Sequence, residues 1–331
     1  MIAFFAQRLV GMIVTMFFVS IMIFAIMELP PGDYADRYAF RKFSGTGVAI
    51  TESDLENIRI EFGLDRPAWE RYIDWIGGIV LEGDFGMSFA YETSANNVIG
   101  ERLWLTLAIL YATLILTYVL AIPIAIYAAV RRHSAVDYGL TVVSYLGLAL
   151  PNFLLALILL YISVSVFDTS VGGLFSRDYE RAPWSLAKAL DLLQHLIIPA
   201  IVLAWSATAL QLQTVRATML DELNKLSVTA ARARGLPEWK LLMKYPARLA
   251  INPVVSTIGF DVNRIFSELP IVALVLGLPE LGELLIKSFV DLDMYVAGAI
   301  LLMLTFFIVL MNFVSDILLA LLDPRIKLEG G

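Results

Sequence analysis

Long uncharged runs recur along the chain, separated by short polar breaks. Residues 9–27 carry no charge before Glu28, and 103–130 and 138–167 carry none. Residues 192–215 hold only His195, and 294–322 only Asp316. A sixth run, 249–278, contains Asp261, Arg264 and Glu268. Runs of about 20 apolar residues cross a bilayer as helices, because in lipid each backbone polar group must be satisfied within the segment. The pattern therefore predicts an all-α membrane protein with six transmembrane helices. Pro123, Pro151 and Pro199 fall inside the second, third and fourth runs, where each removes a backbone donor and bends the helix.

Between the first two runs lies the one sizeable polar stretch, which divides the chain into a first helix (1–29), a soluble insertion (30–98) and a core of five helices (99–331). Within the insertion, 51–61 is expected to be a helix capped by Thr51 or Ser53, ended by the Gly and Pro of 63–67. A second helix is expected over 68–80, with Trp69, Tyr72, Trp75 and Ile76 at helical spacing, followed by a tight loop at 83–88. That aromatic stripe suits packing on neighbouring helices or a seat at the headgroup level better than a ligand.

Composition agrees with the spans. Of 331 residues 59% are hydrophobic and 17% charged, against about 45–50% apolar in soluble domains. Placing both termini inside gives the inner segments twelve bases and six acids, the excess expected of cytoplasmic loops. The net charge of −7 then resides outside and gives no reason to expect nucleic acid as a partner. There is no cysteine, which excludes disulfides and thiolate metal sites. The first run is too long for a signal-peptide core and reads as a retained helix.

The longest basic break in the second half is 216–248, with seven Lys or Arg against three acids. Its middle, Thr-Ala-Ala-Arg-Ala-Arg-Gly-Leu-Pro at 229–237, favours a short helix ended by Gly235 and sealed by Pro237. Such a stiff helix on the cytoplasmic face is suited to docking; the blander reading is a loop that only sets topology. In the fifth span Asp261, Arg264 and Glu268 stand three and four residues apart, on one helical face. A charge at the bilayer centre costs about 2.5–3.5 kcal/mol on insertion scales. The face must therefore point into a bundle or an aqueous pathway, with Asp261 and Arg264 paired and Glu268 the surplus acid. A structural ion-pair network against a partner subunit is the competing account. His195 has no second histidine near it in sequence and reads as an interfacial residue. The chain has no Gly-x-x-x-x-Gly-Lys-Ser/Thr phosphate loop and no nucleophile–base pair at recognisable spacing, so catalysis is not expected of it.

The 229–236 segment resembles the EAA loop of ABC-transporter permeases, with Thr229 where that family has Glu and with Ala230, Ala231 and Gly235 in place. Pro-Gly-Asp at 31–33, Gly-Leu-Asp-Arg-Pro at 63–67, Gly-Asp-Phe-Gly-Met-Ser at 83–88 and Leu-Asp-Pro-Arg-Ile at 322–326 match, in order, permeases of the dipeptide/oligopeptide/nickel importers of subunit-B type. Leu-Pro-Glu-Leu-Gly at 278–282 approximates their Pro-Gly-Leu-Gly. The chain departs from them in having Glu268 where relatives have Gly, and Ala273 in place of a later Glu. The resemblance implies the six-helix type I importer fold in a bacterial inner membrane, with both termini cytoplasmic. It implies a second permease, two ATPase subunits that bind ATP and magnesium, and an extracytoplasmic binding protein that delivers the solute. Thr229, Ala230, Ala231, Arg234, Gly235 and Leu236 would contact the ATPase, while Asp261, Arg264 and Glu268 would line the pathway. The solute would be a peptide, with opines, oligosaccharides and nickel complexes open in the same family. From another class, a secondary transporter would couple solute to protons through Asp261, Glu268 or Asp316; no internal repeat supports it. A non-transporting scaffold would leave the charges of the fifth span unexplained.

Overall fold

A computed structural model describes residues 2–29, 35, 38–39, 51–61, 63–167, 172–176, 178–179 and 182–322. The expected features at 31–33 and 323–326 lie outside the described residues. Among the described residues four helices are long and apolar enough to cross a membrane: α1 (Ile2–Glu28), α4 (Ala95–Val130), α7 (Leu186–Leu223) and α14 (Met294–Leu322). The elements between them are α2 (Glu52–Glu61), α3 (Ala68–Gly77), a two-strand hairpin of β1 (Met87–Ser88) and β2 (Thr93–Ser94), α5 (Ala135–Ala149) and α6 (Asn152–Phe167). After α7 come α8 (Leu226–Ala233), α9 (Glu238–Lys244), α10 (Pro246–Ala250), α11 (Asn252–Ser256), α12 (Ile258–Leu276) and α13 (Leu281–Val290). Two bent pairs, α5 with α6 at 104° and α12 with α13 at 86°, complete six spans when each pair is counted as one. Among the described residues the fold is all-α apart from the hairpin.

The third span differs from expectation. Pro151 does not bend a continuous helix over 138–167; it separates two. α5 ends at Ala149, and Leu150 takes an extended conformation, φ −88° and ψ 122°. The residue before a proline is pushed out of the helical region by the pyrrolidine ring, so the break belongs to the Leu150–Pro151 step. Pro123 and Pro199 do lie inside helices, in α4 and α7. α4 begins at Ala95, before the expected boundary at 99. The run 249–278 likewise opens with two one-turn helices before α12.

Contacts divide the chain into two compact units, to both of which α1, α4 and α14 contribute residues. One comprises 10–106 and 280–309. In it Tyr72, Trp75 and Ile76 of α3 pack on Ile23, Phe24 and Met27 of α1, as the aromatic stripe suggested, and the Arg71 guanidinium meets Glu28 at 2.5 Å. The hairpin is fastened by Asp293, fully buried, which accepts from Ser88 Oγ at 2.5 Å and from the Ala90 N–H at 3.1 Å. Glu280, the departure from the family's Pro-Gly-Leu-Gly, caps α13 by accepting from the Gly282 and Glu283 N–H groups at 2.6 and 2.7 Å. A side chain at this position thus satisfies helix-end donors that a glycine could not.

The other unit comprises 1–9, 107–279 and 310–331. Its main core joins Ala121, Ala125 and Ala129 of α4, Leu212, Val215 and Met219 of α7, and Ala247, Ala250 and Val254 from α10 and α11. Alanines on α4 let the helices approach closely, which drives association where lipid removes the hydrophobic incentive.

Candidate functional site

The polar break after α7 folds as a compact corner within this second unit. α7 ends at Leu223; Lys225, paired with Glu222 at 2.5 Å, stands before α8. α8 begins at Leu226, three residues before the expected segment, and runs to Ala233, ahead of the stop at Gly235 and Pro237. The chain then turns through Gly235 at φ +78°, a left-handed conformation in which a Cβ is strained. Backbone donors close the turn: the Gly235 N–H reaches Arg232 O at 3.0 Å and the Leu236 N–H reaches Ala231 O at 3.3 Å. Pro237 then stands at the N-cap of α9, where it needs no N–H of its own and its carbonyl accepts from the Leu241 N–H at 3.0 Å. Arg232 grips Glu238 across the corner, Nε to Oε2 at 3.1 Å and Nη2 to Oε1 at 2.6 Å. Those donors hold the Glu238 carboxyl below the usual carboxylate range. Both side chains are about half exposed, so the pair fixes geometry more than it stabilises.

The expected contact residues do not all face outward. Val228, Ala231 and Leu241 form a small buried core, with Leu236, Leu242 and Tyr245 packed against it. Ala231 is 1% exposed, so within this chain it seats α8 rather than presenting a surface, and half-buried Leu236 does the same. Thr229, Ala230, Arg234 and Gly235 are exposed, as is Leu226 at the start of α8. Leu242 packs on this small core and also on the α4–α7 core. It is the physical link from α8 to the spans, and nothing in its immediate sequence marked it.

A second constellation lies on α12. Asp261, 3% exposed, accepts from Tyr118 Oη at 2.8 Å and from Gln211 Nε2 at 2.6 Å on Oδ2, and from Arg264 Nη2 at 3.2 Å on Oδ1. Gln211 also donates to Thr257 Oγ1 at 3.0 Å. The expected Asp261–Arg264 pair is thus formed, inside a larger set drawn from α4, α7 and α12. Glu268, half-buried, accepts from Asn152 Nδ2, which also lies 3.3 Å from Ser206 Oγ. Gln211 Oε1 and Arg264 Nε are buried with no partner among the described residues. Hence the face is polar and not fully saturated by this chain, a state compatible with either a pathway or a partner subunit.

Sequence reading missed Tyr118, Gln211 and Asn152. The signal was Gln211 and Gln213 in an otherwise apolar run, and an Asn directly after Pro151. It also missed Asp137, 2% exposed, which binds the Arg216 guanidinium through two bonds of 2.7 and 2.8 Å and so ties the start of α5 to the end of α7. Ser134, whose side chain accepts from the Asp137 N–H, marks that helix start as a capping pair. Asp316, the third acid of the proton-coupled alternative, pairs with Arg8 at 3.3 Å. His195 Nδ1 lies 2.8 Å from the Asp191 carbonyl. Among the described residues no three His, Cys, Asp or Glu converge as metal ligands would.

Comparison with known proteins covers nearly the whole chain. Residues 121–328 match the family described as binding-protein-dependent transport system inner membrane component, and residues 1–110 match its N-terminal membrane-component family. A putative peptide permease protein of Brucella suis biovar 1 is 33% identical over 310 residues, 93% of each chain. The oligopeptide transport system permease protein AppB of Bacillus subtilis is 32% identical over 329 residues, 99% of this chain and all of the relative. A probable peptide ABC transporter permease protein of Sinorhizobium fredii is 28% identical over 322 residues, 97% of this chain.

Proposed function

Because the chain belongs to the binding-protein-dependent transport system inner membrane components, we propose that it forms half of a peptide translocation pathway and is driven through α8. It is a multi-pass membrane permease subunit of an ABC importer, and such subunits work with another permease, ATPases and a binding protein. In our reading the other permease is a different chain. The ATPases are two, and they alone bind ATP and magnesium; this chain carries out no catalysis. Both termini and α8 are cytoplasmic, and the insertion after α1 lies on the outer face of the inner membrane. Peptide is the favoured solute because relatives matching almost end to end carry peptide permease names.

The observation that carries the coupling role is the double packing of Leu242. A push on the exposed face of α8 passes through Val228 and Ala231 to Leu241 and Leu242, and from Leu242 into the core that Ala247 and Ala250 of α10 share with Leu212, Val215 and Met219 of α7. α7 also supplies Gln211 to Asp261, so the docking corner and the polar cluster share one rigid element. That arrangement suits two sites coupled through two global states. Reconstituted with its partner subunits, the permease is expected to import peptide only when ATP is hydrolysed, with an imposed proton gradient giving no uptake. Gradient-driven uptake without ATP would instead establish the proton-coupled alternative.

The orientation has its own test, simplified by the lack of any native cysteine. On intact cells an impermeant thiol reagent is expected to label a Ser53→Cys variant and to spare Lys225→Cys. Labelling of the second with protection of the first inverts the proposed topology.

A further inference from the structure

Within the second unit, α4, α5 and α7 enclose an apolar groove of about 360 Å³ that belongs neither to the docking corner nor to the polar cluster. Its walls include Leu116, Leu120 and Ile124 of α4, Leu140 and Val143 of α5, and Ile201 and Leu212 of α7. Trp205 backs it, lying flat on α5 where Gly147 has no Cβ; an added Cβ there would overlap the indole Cδ1 and Nε1. The groove therefore depends on a glycine placed to admit a large ring.

Three features point to the occupant. From Ile201 to Leu212 the groove runs eleven residues, or about 16 Å at 1.5 Å per residue. That is the depth of one leaflet of a hydrocarbon core about 30 Å thick. Its lining is almost wholly apolar, so neither water nor a polar solute gains by entering. Beyond the Ile124 and Leu212 end of the lining the helices become basic and aromatic. On α4 the stripe Leu116, Leu120, Ile124 continues at helical spacing to Tyr127 and Arg131, the guanidinium sitting over the Tyr127 ring at 5.2 Å from its centroid. Arg132 follows, and on α7 the stripe ending in Leu212 continues to Arg216. Arg216 is engaged by Asp137. Arg131 and Arg132 are exposed and form no ion pair among the described residues. A leaflet-long apolar groove, with a tyrosine and two exposed guanidinium groups following in sequence beyond its Ile124 end, has the polarity of a phospholipid: chain, interface, phosphate.

We propose that this groove holds one acyl chain of an anionic membrane phospholipid, whose headgroup phosphate is met by Arg131 and Arg132. The lipid fills the space between α4, α5 and α7, and so supports the element that carries both Gln211 and the docking corner.

The test uses the assembled transporter in nanodiscs of phosphatidylcholine and phosphatidylglycerol at 3:1, with a photoactivatable acyl chain on either lipid. Crosslinks from phosphatidylglycerol are expected on the groove-lining segments of α4, α5 and α7, at up to about thirtyfold the efficiency of phosphatidylcholine per lipid, the order given by two guanidinium groups at an anionic headgroup. Arg131→Gln/Arg132→Gln removes two exposed guanidinium groups at the cost of one stacking contact on Tyr127 and is expected to bring the two lipids to parity, while Arg131→Lys/Arg132→Lys retains most of the preference. Val143→Trp, at the exposed rim, is expected to remove the crosslinks from both lipids. Three results overturn the proposal: crosslinking that persists unchanged in Val143→Trp, a phosphatidylglycerol preference that survives the double glutamine change, or a groove shielded from lipid by a helix of the second permease.

Discussion

Gly235→Trp is expected to leave the chain inserted and the complex assembled, yet to lower solute-stimulated ATP hydrolysis and transport by about tenfold or more. The reason is conformational as well as steric. Gly235 sits at φ +78°, and a Cβ built there meets no atom within 4 Å. The first atom of a side chain therefore meets open space among the described residues, and the expected consequences are backbone strain and obstruction of a partner. Strain for a residue with a Cβ in the left-handed region is about 1–2 kcal/mol. It acts on the turn that returns Leu236 to Ala231 and sets the angle between α8 and α9. Asn tolerates this conformation far better than other residues with a side chain, so Gly235→Asn should keep the turn and most of the coupling. Gly235→Val supplies strain with little reach, and Gly235→Trp supplies both. A graded loss from Asn through Val to Trp supports a docking corner whose shape matters. Full coupling in the Trp variant would remove Gly235, and with it this turn, from the docking surface.

The ease of reading this chain varied with the range of the interaction. Spans declare themselves locally, since twenty apolar residues in succession have few alternatives, and so does the stop at Gly235 and Pro237. The Asp261–Arg264 pair was legible because helical periodicity places residues three apart on one face. What stayed hidden is what arrives from elsewhere in the chain. Tyr118 and Asn152 reach α12 across more than a hundred residues, and Ser88 reaches Asp293 across 205. Hydropathy also shortened α7, whose ends carry Lys188, Asp191, Asp221 and Glu222 beyond the apolar run. The inward face of α8 stayed hidden for a different reason: the resemblance marked Ala231 for docking, and composition does not reveal that the same small residue sits in the core with Val228 and Leu241. The break at Pro151 was legible in principle, because the step before a proline disfavours helix, but a bend and a break share the same sequence sign and only tertiary packing decides between them.

The second large effect is expected on α12, where the single and double replacements should not rank by the number of groups removed. Arg264→Ala leaves Asp261, almost fully buried, without its counter-charge, and uncompensated buried charges cost about 3–5 kcal/mol. Tyr118 and Gln211 still donate to it, which places the expected loss at the lower end of that range. Asp261→Ala/Arg264→Ala removes the buried carboxylate together with its counter-charge; Gln211 keeps its bond to Thr257, and Tyr118 is left without its acceptor, at about 1–3 kcal/mol at most and less if it relaxes towards water. Yield of the assembled permease pair, measured by co-purification with the second subunit, should therefore fall furthest for Arg264→Ala and recover in the double variant. Equal yields in the two would mean that Asp261 does not depend on Arg264 for compensation. Glu268→Gln completes the set. Its carbonyl oxygen can still accept from Asn152 Nδ2, so assembly should be preserved while transport rate or peptide preference changes with the lost charge. Collapse of assembly in Glu268→Gln, with normal transport by whatever complex still forms, would make Glu268 a structural anchor and remove this face of α12 from the pathway.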